Sequence, residues 1–218
     1  MPIRKNHVRR WLLASGAAAA AVAAAPSAAS AACTALPTTK AFSKYGDQAD
    51  YSVAPGGDFE GSTPWTLTGG AKIAAGNEPL GVAKGNKALF MPLASTATSP
   101  EFCVDETNPY FRFVMKSAHK GGYLAMVLWR NDAGQLTQAE FTSSAYVTLL
   151  ESAWSPSAVS PLATKIPLGS GKAASVQLKL ISTGNQNYSS TNILGTLASN
   201  VFGSVTIDSV MVDPYRRG

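Results

Sequence analysis

From about residue 40 onward, apolar side chains recur at every second position and almost never at the spacing of a helical face, and this alternation constrains the fold most strongly. Phe111, Phe113 and Met115 alternate with Arg112 and Lys116, and Val176, Leu178 and Leu180 alternate with Gln177 and Lys179. Each run reads as a strand with one wet face. Tyr123 to Trp129 is apolar on both parities, as expected of a central strand covered on each side. A last strand is expected over Val205 to Val212, ended by Asp213-Pro214.

Turn signals separate these runs: Pro55-Gly56-Gly57-Asp58, Gly69-Gly70, Gly76-Asn77, Gly85-Asn86, Gly121-Gly122, Asn131-Asp132-Ala133-Gly134 and Gly169-Ser170-Gly171. They fall about ten residues apart through much of the chain, the pattern of an antiparallel sandwich rather than of strands alternating with helices. Asn131 to Gly134 is the best hairpin turn, and the polar stretch Ser182 to Thr191 reads as a long surface loop. The fold expected is all-β: a jelly-roll β-sandwich of two antiparallel sheets. Composition agrees, since 45% of the 218 residues are hydrophobic, 14% are charged, and 19 are Gly and 13 Pro. That excludes a coiled coil and a disordered chain, and it is enough chain for one domain with a real core.

Residues 1–32 read as a helical signal peptide, leaving 33–218 as a single domain. Arg4, Lys5, Arg9 and Arg10 form a positive start, Trp11 to Ala25 an apolar stretch of 15 residues, and Pro26 to Ala32 a small-residue cleavage region. The apolar stretch is shorter than the roughly 20 residues that span a bilayer. Arg9-Arg10-Trp11-Leu12-Leu13 also resembles a twin-arginine signal, so either export route is open. Without the leader, 14 basic residues face 13 acidic ones, a net charge of +1 in place of +5. A chain with that balance has no electrostatic footprint for nucleic acid. The expected location is secreted, extracellular or at the cell envelope, with no membrane association after cleavage.

The chain has two cysteines, Cys33 and Cys103. In an exported protein that count suggests one disulfide closing a long loop. The other reading makes Cys33 a lipidated first residue and leaves Cys103 a free thiol.

Chemistry is sparse. With His119 the one histidine of the mature chain, a transition-metal centre cannot be assembled from N and S ligands. No Gly-x-Ser-x-Gly, P-loop or Gly-x-Gly-x-x-Gly pattern is present. His119 beside Lys116, Lys120 and Gly121-Gly122 reads as a solvated loop residue. Asp47, Asp50, Asp58 and Glu60 cluster near the Gly56-Gly57 pair, and Asp208 interrupts an apolar strand, where it needs either exposure or a partner. Paired carboxylates could serve a glycosidase, and turn-borne oxygens also suit Ca²⁺. Asp58 and Glu60, on alternate residues, would share one face of an extended segment.

Gly57-Asp58-Phe59-Glu60 followed by Trp65 and Gly69-Gly70-Ala71, with Ile207-Asp208-Ser209-Val210 at the far end, resembles the opening and closing strands of carbohydrate-binding jelly rolls of the family 4, 16 and 22 type. That resemblance implies a structural Ca²⁺ on Glu60 and Asp208, and Asp58 is a third candidate ligand. The second acid of the closing motif is Ser209 here. Phe42 to Asp47, Gly56 to Glu60, Trp65 to Ala71, Gly76 to Glu78, Ser99 to Cys103 and Val212 to Pro214 also resemble a group of secreted actinobacterial-type proteins, which implies no biochemical role.

Sugar recognition requires aromatic platforms for the C–H face of a pyranose. Trp129, Trp154, Tyr146 and Tyr188 are candidates; Trp65 and Trp129 sit in apolar strands and read as core, which leaves Trp154 and Tyr188 as the expected ligand-binding residues. The function expected is non-catalytic, binding polysaccharide or a cell-envelope glycan. The alternatives are a structural or adhesive surface protein without a small ligand, or a small glycan hydrolase or lyase. Thiol titration of the purified, denatured protein should find no free cysteine; two reactive thiols would rule out the Cys33–Cys103 bridge.

Overall fold

The computed structural model describes residues 36–62, 64–105, 110–118, 121–130, 136–146, 153–162, 173–183 and 203–213, with the backbone alone for 130, 136–146 and 213. Cys33, His119, Tyr188 and the expected leader lie outside them, as does the side chain of Tyr146.

After a 3₁₀ turn at Ser43–Tyr45 the chain is built of strands: β1 Ser52–Val53, β2 Thr66–Thr68, β3 Lys72–Ala75, β4 Lys87–Met91, β5 Thr96–Thr98, β6 Phe102–Asp105, β7 Tyr110–Ala118, β8 Gly122–Arg130, β9 Leu136–Tyr146, β10 Ser155–Pro156, β11 Ser160–Pro161, β12 Ala173–Thr183 and β13 Ser204–Asp213. The first sheet runs β10-β7-β13-β4-β3, with β1 on β13 and β11 on β7; the second runs β2-β5-β12-β8-β9, with β6 on β12. All pairings are antiparallel. The jelly-roll β-sandwich expected from the alternation is therefore the fold.

The inward positions of the two sheets interdigitate to make the core. Phe111, Phe113 and Met115 of β7, Leu89 and Met91 of β4, and Val205 and Ile207 of β13 meet Tyr123, Ala125 and Val127 of β8 and Val176, Leu178 and Leu180 of β12. Phe113 and Tyr123 join the sheets edge to face, centroids 4.9 Å apart. Burying such side chains stabilises the fold by about 1.5–3 kcal/mol each, before the entropy of ordering is set against it.

Three expectations need correction. Val114 is buried although its neighbours Phe113 and Met115 point into the core, so β7 does not have a plainly wet outer face. A second apolar cluster covers it: Phe42, Tyr51 and Val82 pack on Val114 and Met211, with Leu80, Ala83 and Trp154 around them. Conversely, β8 is not covered on each side, because Leu124, Met126 and Leu128 on its outer face are only half-buried. Finally, β12 extends through Ser182 and Thr183, which pair with Tyr123 and Gly122, so the strand reaches into the stretch expected to be a loop.

β8 and β9 are consecutive antiparallel partners, with Arg130 opposite Leu136, around the turn expected at 131–134. The first and last strands meet as well. Ser52 and Val53 of β1 pair with Val212 and Met211 of β13, Ala54 N donates to Val210 O (2.9 Å), and Val210 N donates to Gly57 O (2.9 Å). A Cβ on Gly57 would lie 2.6 Å from Val210 O, so that approach requires glycine.

Candidate functional site

The acidic residues grouped by the sequence disperse to different partners. Asp47 accepts from Tyr51 Oη (2.5 Å), Arg112 (2.7 Å) and Ala49 N (3.0 Å). Burial pushes its carboxyl up, but those hydrogen bonds and the Arg112 charge outweigh it and hold Asp47 below the ordinary carboxylate value. Arg112 also stacks on the Phe42 ring, 4.5 Å from its centroid, and donates to Ser157 O (2.7 Å). Asp50 stands 3.8 Å from Lys40 at the surface. Asp58 and Glu60 do not share the face of an extended segment, because residues 55–58 turn and Phe59 takes a left-handed φ of 57°. That conformation buries the Phe59 ring edge-on against Trp65 (5.5 Å). Asp58 then accepts weakly from Glu60 N (3.4 Å), within its own turn.

The Glu60 charge reaches Asp208, and Asp208 is hydrogen-bonded to a residue to which the sequence assigned no role, Glu78. Its carboxylate is buried (1% exposed) and accepts four successive backbone N–H groups, Leu80 and Gly81 on Oε2, Val82 and Ala83 on Oε1. Pro79 has no N–H, so Leu80 is the first donor available, and Gly81 at φ 76° lets the N–H groups converge. The Glu78 N–H in turn donates to Asp208 Oδ2 (3.0 Å), and Ser209 N to Asp208 Oδ1 (2.7 Å). Glu60 Oε1 accepts from Asn86 N (2.7 Å) and Lys87 N (2.6 Å), against a Gly85 whose Cβ would fall 2.3 Å from that oxygen. Asp208 is therefore partnered and not exposed. Burial pushes its carboxyl up to about 7; the N–H groups of Glu78 and Ser209 pull it down, while the Glu78 and Glu60 charges push it further up.

Hard carboxylate oxygens in a negatively charged surround suit a hard cation, but backbone N–H groups already take one oxygen of Glu60 and both of Asp208. Among the described residues no three His, Cys, Asp or Glu side chains are grouped to hold a metal ion. A Ca²⁺ held by Glu60 and Asp208 would therefore have to share oxygens that backbone N–H groups already engage.

The aromatic candidates divide as follows. Trp65 is 6% exposed and donates its Nε1–H to Pro55 O (3.0 Å), while Trp129 packs half-buried against the main core. Trp154 is half-buried at the margin of the second cluster, with the Lys116 Nζ 4.9 Å from its ring centroid. Strand register extends this pair into a row across the outer face of the first sheet. Lys116 stands opposite Thr206, Thr206 opposite Phe90, and Phe90 opposite Lys72. The Lys72 Nζ lies 5.8 Å from the Phe90 centroid. Residues 36–51 and 78–83 cover the neighbouring part of this face, whereas Lys72 is exposed and Lys116, Thr206, Phe90 and Trp154 are half-exposed. Trp154 was the legible member; Phe90, in the apolar run of β4, carries no signal of its own until the register is known.

No protein-family model matches the sequence, and no curated protein does. Among solved structures, the chain is similar to the enzymatically active domain of bacteriophage CBA120 tailspike protein 4 (16% identity, 74% of this chain and 21% of that one, TM-score 0.42). It is also similar to the CBM22-1 xylan-binding domain of Paenibacillus barcinonensis Xyn10C (15% identity, 72% and 90%, TM-score 0.42). A third is the family 11 carbohydrate-binding module of Clostridium thermocellum Lic26A-Cel5E (13% identity, 83% and 96%, TM-score 0.40). The chain thus spans about a fifth of the length of the tailspike structure.

The raised Asp208 value fixes the sign of a pH effect. The folded chain keeps a proton that the unfolded chain loses from the ordinary 3.8 upward, so this contribution to stability is complete below about pH 4 and lost as pH rises to about 7. Asp47, held low, acts oppositely, its contribution present above the ordinary carboxylate range and lost on acidification. Urea melts from pH 4 to 8 should show a flatter decline for Asp208→Asn than for wild type; parallel profiles would refute the assignment.

Proposed function

We propose that the protein is a secreted, non-catalytic β-sandwich that binds polysaccharide outside the cell or at its envelope, with the open row on the first sheet as the contact surface. The observation that carries this reading is the placement of two aromatic rings, Phe90 and Trp154, on one cross-strand row beside the covered part of the sheet. A pyranose stacks its C–H face on such rings, and Thr206 between them offers a hydroxyl to its polar edge. Asp47, Asp58, Glu60 and Glu78 are engaged by an arginine or by backbone N–H groups, which supports a binding role over acid–base cleavage. The resemblance of the chain ends to carbohydrate-binding jelly rolls points the same way.

Affinity electrophoresis against a panel of neutral and acidic polysaccharides tests it. Wild type should be retarded by at least one polymer, and Phe90→Ala and Trp154→Ala should each weaken binding about tenfold, the worth of one stacking contact. Phe90→Ala should leave the melting temperature little changed. Tyr188→Ala examines the other expected aromatic residue in the same assay. No retardation by any polymer would favour the structural or adhesive alternative.

Structural Ca²⁺ at Glu60 and Asp208 belongs to the same proposal. Added Ca²⁺ should raise the thermal midpoint and EDTA should lower it, with the response lost in Glu60→Gln. A midpoint indifferent to both would remove the ion from the account.

A further inference from the structure

Resting on the polysaccharide reading, we infer that the polymer taken by the row Trp154, Lys116, Thr206, Phe90 and Lys72 is anionic, carrying carboxylates or sulfates along its length. Both lysines stand on the same face as the two rings, and neither has a carboxylate partner among the described residues. The adjoining row contributes Ala118 and Ser204, which carry no charge. On the other side Asp208 is buried (1% exposed) beneath residues 78–83. What the row presents to solvent is therefore two ammonium groups and two rings.

The ring contacts favour an acidic ligand over a neutral one. Each ammonium lies above an aromatic face, Lys116 at 4.9 Å and Lys72 at 5.8 Å from the centroid. A neutral sugar stacking there must displace the cation from the ring and gives it no counter-charge. A uronate or sulfated sugar that displaces the same ammonium receives it as an ion-pair partner. The spacing indicates a polymer: Lys72 and Lys116 are separated by three strand spacings, about 14 Å, wider than one sugar ring. The polymer axis would run across the strands, with acidic groups meeting lysines at both ends and Thr206 between them.

The experiment uses pairs of polymers that differ in charge alone: polygalacturonate against its fully methyl-esterified form, and dextran sulfate against dextran. The full chain should bind polygalacturonate or dextran sulfate and not the neutral partner, with affinity that falls as salt rises, and the responding pair identifies the acid as carboxylate or sulfate. The double variant Lys72→Gln/Lys116→Gln should lose about tenfold in affinity and part of the salt dependence. Lys44→Gln, an exposed lysine outside the row, should change nothing. Equal binding to charged and neutral partners would overturn the inference and leave the polysaccharide reading standing. Failure to bind any polymer would overturn both. Binding that survives the double variant would also overturn the inference, because the acid would then be met elsewhere.

Discussion

The capture of the Glu78 carboxylate by four backbone N–H groups is the interaction on which the first sheet's outer surface depends. An isolated carboxylate at 1% exposure is costly, and so are four unpaired N–H groups; each removes the other's penalty. The loop is thereby fixed in one conformation, with Val82 and Leu80 on Val114 and Met211. The same residue's N–H donates to Asp208 on the last strand, so a local turn is fastened to the sheet by a long-range hydrogen bond.

That fastening divides one sheet face into two parts. Under the loop and the N-terminal segment the face is apolar and closed, with Arg112 held between the Phe42 ring and Asp47. Beyond them the face is open and carries rings and lysines. Trp154 belongs to both, packing at the margin of the closed cluster while its ring receives Lys116. Its position is therefore set by packing before any ligand arrives, which lowers the ordering cost of a contact made there.

Much of the fold was legible because strand alternation is a local property. Phe111 to Met115 and Val176 to Leu180 announce which parity faces the core. What covers the other parity is not local: nothing near Val114 or Leu124 says that the first is roofed by residue 82 and the second only half-buried. That Asp208 needs a partner was likewise readable, whereas the shared face expected of Asp58 and Glu60 was not, because a left-handed Phe59 replaces extended backbone. Glu78 was visible only as the end of the Gly76 to Glu78 motif, and its role was not, since a glutamate before Pro-Leu-Gly resembles any solvated turn. Phe90 and Lys72 become site residues only once β3, β4, β13 and β7 are set side by side.

The bulge in β13 has a consequence for the sidedness of the last strand. Between Asp208 and Met211 this strand advances three residues while β7 advances two, from Val114 to Arg112. Ser209, left-handed at φ 53°, is the surplus residue. Remove it and the remainder alternates without a break: Val205, Ile207, Val210 and Val212 inward, Thr206, Asp208 and Met211 outward. A one-residue insertion in a strand normally turns everything after it inside out, yet here the inserted residue is absorbed in place and sidedness is preserved. Its N–H serves Asp208, and its hydroxyl lies 3.5 Å from Glu78. Ser209 thus belongs to the buried acids and not to the alternation of the strand.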